Sequence, residues 1–352
     1  MDSLVSATRD IPSIDVWLVD NGSCDNSVVV VREKYGNELR ILTFQRNMGY
    51  GGACNLAYTY VRELGLQYRY YACVNNDVVI YKEGLYDLMY WLNILERMFP
   101  KGFIVAPILV NGYDGKLDFG GYFVDNSGGA WPLRLVTCTV ERLTKVLRLP
   151  LPISYADGAF MVFHRAVIEK IGLFDYRFFL YGEDVEVCLR AWRKGIPSFL
   201  VPVIVGRHHR SASTRRIKHL QLYMQVRNRV YVALRYFGLY GLVKALAWYT
   251  LYPLRLIDMN NPIVKNVMRE IGLDMAELVR EVGGATLTVK TILRAVIDAI
   301  RWAKRGNKEK ADIEPPVLRP SLVAMVSTKA LLNEVQAVLL GKLHRYICSY
   351  RR

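Results

Sequence analysis

The sequence has no C-x-x-C pair and no Cys/His cluster with the spacing of a zinc site, although it contains six cysteines. Most of these cysteines stand in apolar segments, which predicts reduced, buried thiols of a cytosolic protein rather than disulfides or a metal centre. There is no low-complexity tract, and residues 1–10 carry charges but no apolar core of a signal peptide. The 352 residues suffice for one large domain and a smaller one.

Acidic residues are scarce in the C-terminal part of the chain. Residues 207–352 hold 26 Lys/Arg and only 10 Asp/Glu, whereas residues 1–206 hold 21 and 22, so the net charge of +15 arises from the C-terminal part. A basic, apolar-rich segment suits nucleic acid or an anionic membrane surface. Long aliphatic runs separate the basic residues, which argues against a nucleic-acid binder and favours a membrane surface.

The first 213 residues alternate short apolar strands with helices. The pattern predicts strands at 14–20, 40–44 and 68–75, and helices at 25–35 (with Asp25 as N-cap), 51–65 and 83–98. This alternation predicts an α/β domain over 1–213 with a parallel, doubly wound sheet. Such sheets bind ligands beyond the carboxyl ends of their strands, where Asp20 and Asp77 stand.

Residues 214–352 are predicted to form a basic, amphipathic helical region. The stretch 236–254 has 19 residues and one charge, Lys244, which leaves open a transmembrane helix, an interfacial or re-entrant hairpin, or a buried helix. Residues 287–305 combine an aliphatic face with cationic neighbours, which fits a helix lying in a membrane surface or an ordinary domain helix. A further amphipathic helix is expected at 321–348.

Five polar segments interrupt the apolar pattern of the first 213 residues, and a sixth, "GRHHRSAST", follows the last predicted strand. Taken singly they are weak, because Asp, Asn and Gly are common in turns and at helix N-termini. The "GYGGACN" segment lacks both the Walker lysine and the G-x-G-x-x-G spacing, so it does not predict a phosphate-binding glycine loop.

The polar segments follow one another in a fixed order: "VDNGSCDNS" (19–27), "NMGYGGACN" (47–55), "VNND" (74–77), "GAFMVFHRAV" (158–167), "FDYRFFLYGEDVEVCLR" (174–190), and the trailing 205–209 and 227–228. This order resembles the family 2 glycosyltransferases, the inverting type with a GT-A fold, and in particular their rhamnosyltransferase-like branch. The resemblance covers about residues 1–235. Glu186 stands where the family motif has an aspartate.

The resemblance implies transfer of a sugar from a nucleotide-sugar donor to a hydroxyl of a lipid-linked or growing surface glycan at the cytoplasmic face of a membrane. Asp184 would be the catalytic base, and Glu183 would orient it or bind acceptor hydroxyls. Asp77 would ligate Mg²⁺ or Mn²⁺, helped by His209 or His208. Donor binding would involve Asp20, Asn21, Asn47, Gly49, Asn55, Asn75, Asn76, Asp157 and Gly158.

One family feature has no counterpart in the sequence: the opening strand, which ends in V-x-x-Y-N and helps to hold the nucleotide base. We therefore expect a GT-A domain without its first strand, with an exposed sheet edge. A second hypothesis follows, in which the chain is a truncated, catalytically impaired relative that binds a nucleotide sugar or a partner. A sugar nucleotidyltransferase is disfavoured, since no glycine-rich loop with a basic signature opens the chain.

Overall fold

The computed structural model describes residues 1–119, 121–132, 140, 143–144, 147–209, 218–251, 285–304 and 315–317. The chain divides into two compact units. The first contains residues 1–121 and 139–210, and the second contains residues 122–138 and 211–352. The segment 122–138 therefore belongs with the C-terminal residues, although it lies within the predicted α/β domain. The helix expected at 321–348 lies outside the described residues.

The described elements alternate as the sequence pattern indicates. The strands are β1 (Trp17–Asp20), β2 (Arg40–Thr43), β3 (Tyr70–Val74), β4 (Val78–Ile80), β5 (Ile104–Asn111), β6 (Leu117–Phe119), β7 (Tyr122–Val124), β8 (Ala130–Pro132), β9 (Leu151–Ile153), β10 (Phe160–His164) and β11 (Ser198–His208). The α-helices are α1 (Asp2–Thr8), α2 (Ser27–Tyr35), α3 (Gly49–Glu63), α4 (Lys82–Met98), α5 (Arg165–Ile171), α6 (Glu183–Arg193), α7 (Lys218–Leu251) and α8 (Ala285–Lys304). The N-cap of α2 is Asn26 rather than Asp25.

A seven-stranded sheet forms the centre of the first unit, in the order β3-β10-β5-β11-β4, with β6 on β5 and β9 on β11. The α/β class is confirmed, but the sheet is mixed, whereas the alternation of strands and helices predicts a parallel one. β10 runs antiparallel to β3 and β5, and β4 runs antiparallel to β11. The short turn between β3 and β4 explains the direction of β4, because strands joined without a helical crossover run antiparallel.

The strands β1 and β2 form a separate parallel pair. Val5, Tyr35 and Leu39 are buried beside this pair and form a small apolar cluster of their own. Among the described residues, β1 pairs with β2 alone, so its other edge carries no backbone ladder.

The main core lies between α4 and the seven-stranded sheet. Leu85, Leu88, Leu92 and Leu95 are buried along one face of α4, at the spacing that its sequence predicts. They pack in one cluster with alternating side chains of β11, namely Phe199, Val201, Val203 and Val205. This packing fixes the strands whose ends carry the polar segments.

In the second unit, α7 is sharply bent at Gly238, whose φ of 68° and ψ of −156° are not helical. Among the described residues one helix, His219–Tyr249, is long and apolar enough to cross a membrane by length and composition, with a mean hydropathy of 1.3. In its most apolar stretch 44% of the residues are buried, and Lys244 is fully buried, with its Nζ donating to Asn126 Oδ1 at 2.9 Å. A helix of this composition also suits a protein core.

The helix α8 packs on α7 through small side chains. Its buried positions are Thr288, Thr291, Ala295 and Ala299. Part of the predicted aliphatic face of α8 is open to solvent. Val289, Leu293 and Ile297 are about half exposed, at 54%, 57% and 47%. The contact with α7 therefore does not cover the aliphatic face of α8.

The four described cysteines are free thiols, as predicted. Only Cys188 is buried; Cys54 and Cys73 are partly buried, and Cys24 is exposed. The prediction of buried thiols is therefore wrong for Cys24, which lies in the polar segment after β1. Cys138 and Cys348 lie outside the described residues.

Candidate active site

The turn between β3 and β4 carries the polar triplet Asn75, Asn76 and Asp77. β3 and β4 are opposite edges of the seven-stranded sheet, so the triplet crosses one end of that sheet. Asn75 lies against the loop before β10, because its N–H donates to Ala159 O at 2.9 Å. Asp77 is placed beside the end of β11, since Val78 pairs with His208.

A buried histidine joins two carboxylates at this end of the sheet. His208 Nε2 lies 3.0 Å from Asp77 Oδ1, and His208 Nδ1 lies 2.8 Å from Asp118 Oδ2. Asp118 belongs to β6 and is 1% exposed. Burial alone lowers the pKa of His208, but the hydrogen bonds with Asp118 and Asp77 outweigh it and raise that pKa to about 9.

The neighbouring histidine points elsewhere. The N–H of His209 donates to Asp77 O at 2.9 Å, but its ring packs edge-on against Tyr113, with 5.5 Å between ring centroids. Of the two histidines that the sequence offers as metal ligands, His208 is the one that contacts the Asp77 carboxylate.

Three acids gather where α6 begins and where the loop before β10 passes. Asp184 Oδ1 accepts from the N–H of Val185 at 2.8 Å, and Asp184 Oδ2 accepts from the N–H of Gly158 at 3.2 Å. Asp157 Oδ1 accepts from the N–H of Ala159 at 2.7 Å. Glu183, the first residue of α6, is buried, and its Oε2 has no hydrogen-bond partner within the described ranges.

The crowding of these acids raises their pKa values. Burial and then the charge of Asp184 raise the pKa of Glu183 to about 8 and that of Asp157 to about 7. Burial also raises the pKa of Asp184, against the backbone N–H groups that stabilise its carboxylate. The charged form is therefore best supported at Asp184, while Glu183 is protonated at neutral pH.

Asp157 connects the acids to the histidine. The positive charge of His208 lowers the pKa of Asp157, and the negative charge of Asp118 raises it, both as smaller effects beside burial and Asp184. The same loop touches Asn75 through Ala159. Asp157 therefore lies within electrostatic range of His208 and of the acids Glu183 and Asp184.

Tyr50 ties together the loops that hold the acids. Its hydroxyl donates to Gly158 O at 2.5 Å, and its N–H donates to Phe179 O at 3.0 Å. The loop before α6 is unusual, because Phe179 and Tyr181 have φ values of 63° and 66°. Non-glycine residues in this region are strained and persist only when their surroundings hold them. Tyr50 supplies part of that hold.

Asn21 and Asn47, two of the predicted donor-binding amides, lie in loops, whereas Asn55 lies in α3. Asn21 Nδ2 donates to Asn47 Oδ1 and to Gly49 O, both at 3.1 Å. Asn55 forms two hydrogen bonds with the backbone of Phe174, at 2.7 and 3.0 Å. Asp20 accepts from the N–H of Ser23. These contacts fix the loops, and the Asn55 amide is engaged by the protein itself.

The structure also shows what surrounds two further motif positions, Glu186 and Gly158. Glu186 is 4% exposed and pairs with Arg190 at 3.0 Å, and Arg190 also donates to the carbonyls of Ile171 and Leu173. The acid that differs from the family motif therefore anchors α6. A Cβ on Gly158 would make ordinary contacts of 3.6 Å with Asp184 and Tyr50, so the protein alone does not require glycine there.

Sequence reasoning did not place Tyr50 or Asp118 in the site. Tyr50 stood within a quoted motif, so its signal was present in the aromatic position of that motif. Asp118 stands in "KLDFGG", and no local pattern marks it.

Two family descriptions match the chain. "Glycosyl transferase family 2" matches residues 1–172, and "Glycosyl transferase family group 2" matches residues 120–268. The chain belongs to the family 2 glycosyltransferases. The resemblance seen in the motifs is confirmed, and so is the expectation of a glycosyltransferase.

Similar glycosyltransferases span much of the chain. The N-acetylglucosaminyl-diphospho-decaprenol L-rhamnosyltransferase of Mycobacterium tuberculosis is 28% identical over 218 residues, which cover 58% of this chain and 69% of that protein. The low-salt glycan biosynthesis hexosyltransferase Agl10 of Haloferax volcanii is 33% identical over 79 residues, covering 22% and 26%.

Two solved structures are similar to this chain at low TM-scores. S. aureus TarS (residues 1–349) has a TM-score of 0.45 at 13% identity and covers 89% of this chain and 92% of its own. GalNAc-T7 with UDP, GalNAc and Mn²⁺ has a TM-score of 0.47 at 15% identity, covering 76% and 50%. Likeness at this level says nothing about individual site residues.

Proposed function

We propose that this glycosyltransferase transfers a sugar from a nucleotide-sugar donor with inversion of the anomeric centre, using Asp184 as base. The supporting observation is the gathering of Asp184, Glu183 and Asp157 beside the Asp77–His208 pair. The Asp184 carboxylate accepts from two backbone N–H groups, and Asp157 lies within electrostatic range of both Asp184 and His208. A single displacement with inversion needs a base and a leaving-group site on opposite sides of one carbon.

The proposed step follows from the placement of Asp184. The acceptor oxygen bonds to the anomeric carbon as the bond from that carbon to the diphosphate oxygen breaks. The hydroxyl proton moves to Asp184, and the electron pair of the broken bond leaves with the nucleoside diphosphate. Asp184 is half-buried, which lets it reach an acceptor while its carboxylate stays ordered.

The chemistry of the Asp77–His208 pair fits a divalent cation. Carboxylate oxygen and imidazole nitrogen are donors that Mn²⁺ accepts, and the 3.0 Å between Asp77 Oδ1 and His208 Nε2 is the spacing of neighbouring ligands about 2.1 Å from one ion. Within the described ranges no cluster of three or more His, Cys, Asp or Glu side chains is placed to hold a metal. We therefore assign two protein donors, which leaves positions for water and phosphate oxygens. Such a cation, when bound, neutralises charge developing on the leaving diphosphate.

The donor and acceptor classes are proposed from the similar proteins. The M. tuberculosis relative is a rhamnosyltransferase whose name specifies a lipid diphosphate carrying N-acetylglucosamine, and the H. volcanii relative is a hexosyltransferase of glycan biosynthesis. We infer a nucleotide-sugar donor and a hydroxyl on a lipid-linked or growing surface glycan. The hypothesis of a catalytically impaired binding module is not favoured by these similarities.

Substitution of the base tests the catalytic part. Asp184→Asn should lower sugar transfer about 10²–10⁴-fold, because the amide cannot take a proton, and should leave donor binding within a few-fold of wild type. Glu169→Gln, at an exposed position of α5, is the matched control and should transfer normally. Full transfer by Asp184→Asn would refute the assignment of the base. Unchanged donor binding with no transfer in the wild type would instead support the binding-module hypothesis.

We further propose that the second unit associates with an anionic membrane at its cytoplasmic face. On α8, Val289, Leu293 and Ile297 form an exposed aliphatic stripe at four-residue spacing. An exposed cationic stripe, Lys290 and Arg294, lies beside it. Apolar side chains flanked by cations suit the boundary between acyl chains and anionic headgroups.

Liposome flotation tests the membrane part. The full chain should float with vesicles containing anionic phospholipid and should do so less at high salt. Leu293→Ser with Ile297→Ser should weaken this binding at least 10-fold, because two aliphatic side chains no longer enter the apolar layer. Leu64→Ser, an equally exposed leucine of the first unit at 49%, is the control and should bind normally. Equal flotation of all three proteins would contradict the assigned surface.

A further inference from the structure

Asp118 occupies a position where a carboxylate is costly unless it has a defined partner. It is 1% exposed, on a three-residue strand, and a buried carboxylate without a partner would destabilise the fold. Its Oδ2 lies 2.8 Å from His208 Nδ1, 90 positions along the chain. The sheet holds the two together, because β6 and β11 both pair with β5.

Asp77 and Asp118 meet opposite nitrogens of the same ring. Asp77 contacts Nε2 and Asp118 contacts Nδ1, so the two carboxylates lie on opposite sides of the imidazole and do not converge on one point. The only hydrogen bond that Nδ1 and a carboxylate can form has Nδ1–H as donor. Asp118 thus keeps a proton on Nδ1. By the same rule Nε2–H donates to Asp77 while no cation is bound, so a cation at Asp77 would displace the Nε2 proton while the Nδ1 proton stays with Asp118.

We propose that Asp118 is a positioning residue for the cation site: it fixes the tautomer and the ring orientation of His208 so that Nε2 can ligate a divalent cation together with Asp77. A ligating histidine that donates its other N–H to a carboxylate is a general arrangement in metal sites. A purely structural pair is a weaker explanation, since apolar residues of similar volume would fill the same space at least as favourably. The proposal rests on the proposed function only in requiring a divalent cation at Asp77.

Binding of Mn²⁺ alone, followed by water-proton relaxation, tests this without reference to sugar transfer. Asp118→Ala removes the acceptor and should weaken Mn²⁺ binding about 10–100-fold. Asp118→Asn keeps an oxygen that accepts from Nδ1–H and should remain within about threefold of wild type. Asp114→Ala, on the exposed turn between β5 and β6, is the control and should bind as wild type. Thermal unfolding of each variant verifies that it is folded.

Three results would overturn the proposal. Wild-type affinity in folded Asp118→Ala would show that the histidine needs no such partner. Equal losses in Asp118→Asn and Asp118→Ala would show that the charge of Asp118 matters, rather than its acceptor. A wild-type protein that binds no Mn²⁺ would remove the cation site itself, while leaving the test of Asp184 unaffected.

A spectroscopic measurement covers the case in which Asp118→Ala does not fold. Histidine-selective ¹⁵N NMR of the Mg²⁺-loaded wild-type protein identifies which ring nitrogen of His208 carries the proton, with His208→Gln giving the assignment. We expect the proton on Nδ1. A proton on Nε2 would exclude that nitrogen as a ligand and overturn the proposal.

Discussion

Replacing Glu183 by glutamine should stabilise the protein at alkaline pH. Glu183 is 7% exposed, its Oε2 has no hydrogen-bond partner within the described ranges, and burial beside Asp184 raises its pKa from 4.5 to about 8. A carboxyl whose pKa is raised by folding favours the folded state at low pH and loses that advantage as the pH rises through 8. Glutamine has nearly the same shape and no charge, so it removes the loss.

The magnitude follows from the pKa values. Each pKa unit corresponds to about 1.4 kcal/mol, so the change from 4.5 to about 8 sets an upper limit of roughly 5 kcal/mol above pH 8. Local relaxation and water entry stabilise a buried charge in part, so we expect a gain of about 1–3 kcal/mol at pH 9 and almost none at pH 5. The groups that face Glu183 are Asp184, Asp157, Tyr50 and Cys54. The charges of Asp184 and Asp157 repel an ionised Glu183, so that repulsion is part of the loss that glutamine removes.

Urea denaturation at pH 5 and pH 9 measures the effect. The matched control is Glu186→Gln, one turn further along α6, where an equally buried glutamate pairs with Arg190. Breaking that pair should destabilise the protein by about 3–5 kcal/mol at both pH values. If Glu183→Gln destabilises the protein at pH 9 as much as Glu186→Gln does, Glu183 is an ionised, paired carboxylate. That result would refute the reasoning.

Two other substitutions follow from the loops around Tyr50. Gly49→Ala should abolish transfer and lower the melting temperature, because φ is +73° and a Cβ would lie 2.8 Å from Phe179 Cα. The control is Gly65→Ala, at φ +72° with open space around it, which should lower the stability of the fold by only about 1 kcal/mol. Equal losses of stability in the two variants would contradict this account. Tyr50→Phe removes the hydrogen bond to Gly158 O and should destabilise the fold by about 1–3 kcal/mol in calorimetry; an unchanged melting curve would show that the bond has no structural weight.

The sequence predicts the elements of the first unit well and their pairing less well. The apolar spacing of α4 and the strands of the core are local properties, and the structure confirms them. The direction of β10 depends on which strands it lies between, and alternation of strand and helix carries no information about that. The division at segment 122–138 likewise depends on contacts distant in sequence.

The acids at 183 and 184 are marked by their motif, but the partners of His208 are not. Successive residues of a strand face opposite sides, so only one of two adjacent histidines can face Asp77. The irregular register of β11 between Leu200 and Gly206 prevents the sequence from showing which one. Asp118 reaches the site only through the pairing of β6 with β5, and a lone aspartate in a glycine-rich segment gives no sign of it.

The central claim is that the Asp77–His208 pair and Asp184 serve one sugar from two sides. Crystals grown with Mn²⁺ and a nucleoside diphosphate would test it through the anomalous scattering of the ion. We predict a peak about 2.1 Å from both Asp77 Oδ1 and His208 Nε2, with the diphosphate bound to it and the Asp184 carboxylate free of metal. A peak on Asp184, Glu183 or Asp157, or none near Asp77, would contradict the account.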